Sequence, residues 1–286
     1  MRVAIVGASG VLGRYLAPRL LAGKHHCVAV VRDPTRLGLP TDPGLTVARA
    51  DILDPVTLAP AVAGCDAVIH AATRVPRPGG AADWPMNDRI RREGTANLIA
   101  ACQTAGVGRY VQQSIAMIVP SPAGQWVDED GPVDAGELQS AIDMEALVMA
   151  SALDWRILRG GLFYGPGTGA EENWARQAQA GSLLIPGDGS AYMTLVHVAD
   201  YAEAVVRAVE HGEGRFVLNA VDDQPVTYGA FLNDVARAAG APAPPAGGSE
   251  RLESFRASNA RARQTLGWRP FFASYRTGLL PGLAPQ

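Results

Sequence analysis

Cysteine, surplus positive charge and long apolar runs are all scarce in this sequence, and each scarcity excludes something. Three cysteines among 286 residues, Cys27, Cys65 and Cys102, are odd in number and widely spaced, with no CxxC pair. They fit no disulfide framework and read as reduced, buried thiols of a cytoplasmic protein. The five histidines show no ligand spacing beyond the adjacent His25 and His26, so no metal site is expected. A net charge of −3 leaves no electrostatic footprint for nucleic acid. No apolar run reaches bilayer length, and no charged-then-apolar leader precedes Val3, which argues against a membrane span and a signal peptide. No internal repeat is apparent. A small-molecule substrate is the partner these absences leave.

What is present begins at once. Val3 to Val6 form the short apolar run of a buried parallel strand. Gly7, Gly10 and Gly13 follow at three-residue spacing, enclosing Ser9, Val11 and Leu12, and a helical pattern starts at Arg14. A strand that turns sharply into a helix, with glycines at the turn, lets backbone approach a pyrophosphate and aims free N–H groups at it. That predicts dinucleotide binding.

The rest of the chain continues the rhythm. Strands are expected at 26–31, 46–48, 66–70, 109–113 and 155–159, with helices over 89–105 and 135–151 between them. Such alternation means an α/β fold with a doubly wound parallel Rossmann sheet. Segments 76–86 and 120–136 read as loops above the sheet. Beyond residue 160 the pattern is irregular apart from helices at 197–210 and 228–239, and 241–249 reads as a flexible connector. The expected organisation is a Rossmann domain over 1–160, also receiving parts of 195–220. A smaller, partly interleaved α+β substrate domain over 161–286 completes it.

These motifs together resemble the extended branch of the short-chain dehydrogenase/reductases, the branch of the nucleotide-sugar epimerases and dehydratases. Val68-Ile69-His70-Ala71-Ala72 is similar to that family's fourth-strand motif, which packs beside the cofactor. Leu158 to Gly167 resembles its nicotinamide cradle, with Gly161 and Leu162 at the contact. Gly187-Asp188-Gly189-Ser190 with Val196 to Asp200, and Ala260 through Pro270, resemble its substrate-domain turn and strand and its C-terminal helix. The resemblance covers nearly the whole chain and allows a homodimer through helices near 89–105 and 135–151.

The departures bear on chemistry. The resemblance implies a general acid Tyr with a Lys four residues later, both on one helix face and the Lys lowering the Tyr pKa. Aligned on Glu145, this chain has Glu137 at the Tyr position and Ala141 at the Lys position. The family's Ser falls at Ser114 or at its neighbour Ile115, the alignment favouring Ile115 and leaving Ser114 one place early, and its relay Asn falls at Arg91. Candidate proton donors are therefore Glu137, Ser114 at a strand end, and Tyr164 on the opposite wall. Asp143 and Glu145 read as ordinary helix-face charges, and His197 as a satisfied, half-buried histidine.

The cofactor expected is NADP(H). Where an NAD site has a carboxylate after its second strand, this chain has Arg32, with Arg36 and Arg14 near the same corner, and a guanidinium there suits a 2′-phosphate. Asp33 beside it argues the other way. By the resemblance, Asp51 and Ile52 meet the adenine, while Asp54 reads as a helix cap before Pro55. Met193 stands where sugar-nucleotide members carry a diphosphate-gripping Arg, which argues against a nucleotide sugar. Trp84, Met86, Met117, Trp126, Trp174, Tyr192 and Met193 suit an apolar substrate. Arg74, Arg77 and Arg91 would suit an anionic or carbonyl group on it. The expected function is NADPH-dependent reduction of a small, mostly apolar carbonyl or conjugated double bond by an atypical proton donor. A redox-neutral isomerase or epimerase and a non-catalytic NADP-sensing protein are its rivals.

Overall fold

Apolar residues on successive positions suit only a strand covered on both faces, and β1 (Arg2–Val6) has Val3, Ala4 and Ile5 fully buried. The computed structural model describes residues 1–75, 83–134, 136–212, 214–248 and 253–283. The strands that follow are β2 (His26–Val31), β3 (Leu45–Arg49), β4 (Ala67–His70), β5 (Arg109–Ile115) and β6 (Asp154–Gly160). After them come β7 (Leu162–Tyr164), β8 (Ile185–Pro186), β9 (Tyr192–Met193), β10 (Leu195–His197), β11 (Phe216–Ala220), β12 (Val226–Thr227) and β13 (Ala246–Gly248). Seven of these form one parallel sheet in the order β11-β6-β5-β4-β1-β2-β3. The order reverses between β1 and β4, which opens a crevice at their C-terminal ends, where open α/β sheets bind ligands.

The helices are α1 (Val11–Ala22), α2 (Pro55–Val62), α3 (Trp84–Arg89), α4 (Thr95–Thr104), α5 (Gln139–Ala150), α6 (Ala170–Gln179), α7 (Val198–Glu210), α8 (Tyr228–Ala238) and α9 (Ala260–Leu266). Leu16 and Leu20 of α1 and Val205 and Val209 of α7 fill one face of the sheet. Leu58 of α2, Leu98 of α4 and Val148 of α5 fill the other. A third core, around Phe231, Val235 and Tyr275, joins α6 and α8 to the ends of β7 and β10. This is the doubly wound fold with a smaller C-terminal α+β part.

Three expectations change. Residues 84–86, read as the end of a loop, belong to the helix Trp84–Arg89 because Asp83 caps it by accepting from the Met86 N–H at 3.3 Å; 76–82 lies outside the described residues. The helix expected over 89–105 is interrupted by a π turn at Ile90–Gly94. The connector over 241–249 is partly ordered, since Ala246–Gly248 pairs in parallel with Ile185–Pro186. Phe216–Ala220, in the region assigned to the sheet, is its edge strand β11.

Candidate cofactor and active site

At the crevice, Gly7 has φ +95°, and a Cβ there would stand 2.7 Å from the Ala72 nitrogen and 2.8 Å from the Ala71 carbonyl carbon. Only glycine lets the β1 turn press against the end of β4. A Cβ on Gly13 would stand 2.4 Å from the Ala8 oxygen, so the third glycine lets α1 pack on its own strand. Gly10 is the N-cap of α1 and contributes no side-chain cap, leaving first-turn N–H groups for an anion. Ser9, Val11 and Leu12 line the same turn, and Ala71 and Ala72 form its far wall. Gly161 brings the chain close to β10, where a Cβ would lie 2.6 Å from the Thr194 oxygen, and Leu162 then pairs with Leu195. These cradles would be filled by any side chain and fit an extended dinucleotide.

Beyond β2, Arg32 and Arg36 are exposed, as is Arg14 on α1. The Arg14 guanidinium lies against Gly38, 3.7 Å from where its Cβ would be, in the same loop as Arg36. Asp33, itself exposed, caps Pro34–Arg36, its Oδ1 accepting from the Thr35 N–H at 3.1 Å and hydroxyl at 2.6 Å. Those bonds hold its carboxyl below the usual range. On the other flank, Asp51 accepts from the Leu53 N–H at 3.0 Å. Ile52 is buried against Gly94, and its carbonyl accepts from Asn97 Nδ2 at 3.1 Å. Asp54 caps α2 through the Val56 N–H, as expected.

The corner where the family keeps its acid is different. Ala141 packs with Ile118 and Val119, joined by Ile115, Val127, Leu138 and Ile142, in one apolar cluster. The positions aligned with the Ser and the Lys thus lie among hydrocarbon. The backbone of Glu137 belongs to a short 3-10 turn, Gly136–Leu138, just ahead of α5, and its side chain lies outside the described residues.

Two other candidate donors are committed elsewhere. Ser114 is buried, and its hydroxyl donates to Glu145 Oε1 at 2.5 Å. Glu145 is not a helix-face charge. It is 2 % exposed and takes a bidentate fork from Arg159, at 3.0 Å from Nε and 2.7 Å from Nη2. Arg159 Nη1 donates to the Glu129 carbonyl at 3.0 Å, and Glu129 Oε1 accepts from the Asn219 N–H at 2.7 Å. A cation and an anion buried this deeply hold each other in place, and losing one partner costs about 3–5 kcal/mol. Tyr164 is fully buried, and its hydroxyl donates to Asp222 Oδ2 at 2.9 Å. Burial, then the Asp222 carboxylate, push the Tyr164 phenol far up, so it offers no proton to the crevice.

The remaining polar residues are structural. His197 caps α7, its Nδ1 accepting from the Ala199 N–H at 3.1 Å, and burial pushes it down to about 4. His70, fully buried at the end of β4, is pushed down to about 4 by desolvation. Asp143 pairs with Arg92 at 2.6 Å on the surface. Arg91 is buried on the π turn and donates to Ser140 Oγ at 3.0 Å, which in turn donates to Asp88 at 2.6 Å. Arg74 sits 3.8 Å from Asp83, and Arg77 lies outside the described residues. Trp174 meets Phe231 edge to face with centroids 4.9 Å apart, and Met193 is buried in the same third core, whereas Trp84 and Trp126 are exposed.

Sequence reading missed the Glu145–Arg159 pair and Asp222. The available signal was an arginine inside a strand otherwise too apolar to leave a charge unpaired. A cavity of about 500 Å³ lined by Met1, Asp66, Arg109 and Asp154 lies at the N-terminal ends of the strands, the edge away from the glycine turn. Among the described residues no group of three His, Cys, Asp or Glu could hold a metal, and no helix is long and apolar enough to cross a membrane.

Residues 7–212 match the family model described as NAD(P)H-binding. The chain belongs to this NAD(P)H-binding family. Within it, a 3-diazoavenalumate denitrifying reductase of a Streptomyces species is 36% identical over 98% of this chain and 99% of its own. A UDP-glucose 4-epimerase of Mycolicibacterium smegmatis is 27% identical over 94% of both chains. The dTDP-glucose 4,6-dehydratase of Streptomyces venezuelae, crystallised with NAD, superposes with a TM-score of 0.85 over 99% of this chain and 96% of its own at 21% identity. The chain is thus an NAD(P)-dependent oxidoreductase that binds a nicotinamide cofactor, with the fold of a nucleotide-sugar dehydratase.

Proposed function

We propose that this protein is an NADPH-dependent reductase of a small, largely apolar aromatic molecule, and that its hydride acceptor needs no proton from the enzyme. One observation carries the reading: Ala141 and Ile115, aligned with the family's Lys and Ser, share an apolar cluster, while Ser114, the other position that Ser could take, donates to the buried Glu145. A carbonyl becomes an alcohol only if its oxygen gains a proton, which a positioned acid speeds by about 10²–10⁴. A diazonium carbon makes no such demand. Its C–N bond breaks, a C–H bond forms with the incoming hydride pair, and the old bonding pair leaves with dinitrogen. The relative named as a denitrifying reductase of a diazo acid supports this acceptor class.

The nicotinamide cofactor, when bound, supplies the hydride. In this reading Gly7, Ser9, Gly10, Val11, Leu12 and Gly13 hold its pyrophosphate, and Asp51 and Ile52 its adenine. Ala71, Ala72, Gly161 and Leu162 flank the nicotinamide end. Arg32, Arg36 and Arg14 take the 2′-phosphate, which is favoured because Asp33 spends its carboxylate on Thr35. The apolar cluster around Ile115 keeps water from the acceptor carbon. Acid-dependent reduction of a conjugated double bond or carbonyl is the second reading, favoured by Glu137 at the Tyr position. Epimerisation of a nucleotide sugar is disfavoured by Met193, buried in the core where the diphosphate-gripping cation would stand.

The test is a panel of aryl diazonium carboxylates with NADPH deuterated at nicotinamide C4, run against protein-free controls. The expected outcome is one dinitrogen per NADPH and deuterium at the vacated carbon, with none taken from D2O. Enzyme-dependent NADPH loss only with enones or ketones, with solvent deuterium in the product, would favour the second reading.

A further inference from the structure

The segment Ser254–Ala257 lies between loop 120–127, which follows the C-terminal end of β5, and strand β9. The Phe255 N–H donates to the Tyr192 carbonyl at 2.8 Å, and the Val127 N–H donates to the Arg256 carbonyl at 3.0 Å. The Arg256 N–H donates to Ser121 Oγ at 2.5 Å, so its backbone is pinned from both sides. Its guanidinium carbon lies over two aromatic rings, 4.5 Å from the centroid of Trp126 and 4.5 Å from that of Tyr192.

A guanidinium packed against aromatic rings makes its hydrogen bonds through its in-plane N–H donors. Among the described residues, one side-chain bond is made, from Nη1 to the Gly124 carbonyl at 3.2 Å, and no carboxylate lies within ion-pair distance. Nε is buried without a partner. A cation held in a fixed plane with spare donors is prepared for a planar anion, not for packing alone.

We propose that Arg256 is a substrate-binding residue that selects a carboxylate, with Trp126 and Tyr192 fixing the plane of its fork. A single fork suits one carboxylate better than a diphosphate, which takes several cations. The inference rests on the proposed function only in locating the substrate at this edge, and its test reads binding without turnover.

The NADP⁺-loaded protein is titrated calorimetrically with cinnamate, cinnamamide and UDP. The expected result is cinnamate binding at least about tenfold more tightly than its amide, the worth of one charged hydrogen bond. R256Q should abolish that ratio without changing NADP⁺ affinity, and R256K, which keeps charge but loses the fork, should restore part of it. Equal binding of acid and amide, absence of cinnamate binding, or an unchanged ratio in R256Q overturns the proposal. Arg256-dependent UDP binding tighter than that of cinnamate overturns it in favour of a nucleotide site. The acid–amide comparison on the unaltered protein stands even if R256Q does not fold. Diazonium chemistry could fail while this preference survives, and the reverse.

Discussion

Two corners of the same sheet edge have been treated in opposite ways. At the turn after β1, Gly7 and Gly13 leave no room for a single extra carbon, and the first turn of α1 keeps its N–H groups uncapped. At the end of β5, where the resemblance puts a proton relay, Ile115 and Ala141 stand in an apolar cluster, and the Ser114 hydroxyl donates its hydrogen bond to a buried ion pair. Under the proposed function, the first corner would bind a group whose shape is the same for every reaction, and the second would serve one kind of reaction and be dispensable where that reaction needs no proton. Cofactor and acid would then be separable parts of this fold, with the cofactor carrying the difficult chemistry.

The comparison breaks first at the glycines. Gly13→Val puts carbon within 2.4 Å of the Ala8 oxygen, so α1 must move off β1, and overpacking of this kind costs about 1–3 kcal/mol. NADPH affinity, followed by nucleotide fluorescence, should fall about 100-fold or more, because the helix terminus leaves the anion. Affinity unchanged in a folded variant would mean that the pyrophosphate lies elsewhere. A smaller effect is expected at the 2′-phosphate. Arg32→Asp should weaken NADPH by about 10–100-fold, the worth of one or two charged hydrogen bonds, and improve NADH. An unchanged NADPH-to-NADH ratio would remove Arg32 from that role.

The glycine corner was legible because a three-residue spacing directly after an apolar run has few other physical uses. Asp54 before Pro55 was legible for the same reason, since a local pattern decided it. Glu145 was not. Position on a helix says nothing about what lies opposite, and Arg159 reaches it from a neighbouring strand. Arg256 was hidden similarly: Trp126 and Tyr192 could be picked out as cleft residues, but their shared guanidinium comes from a segment more than sixty residues beyond Tyr192. The π turn at Ile90–Gly94 gave no warning, because it breaks neither the apolar spacing nor the composition of its helix. Long-range pairing is what a one-dimensional reading lacks, and charged residues suffer most because burial changes their meaning.

The smallest expected effect is the most informative. Glu137 occupies the aligned Tyr position, and a carboxylic acid there would be the natural proton source for a carbonyl or enone. If the reaction ends with hydride on carbon and dinitrogen leaving, Glu137→Gln removes nothing the chemistry uses. Turnover of a diazonium carboxylate should then stay within about twofold, since a general acid that contributed would be worth about 10²–10⁴. NADPH affinity should not change either, so a fall in rate could not be blamed on the cofactor. A loss of tenfold or more in kcat, with binding intact, would show that a proton is transferred in the rate-limiting step. The two corners would then differ in which acid is used, not in whether one is needed.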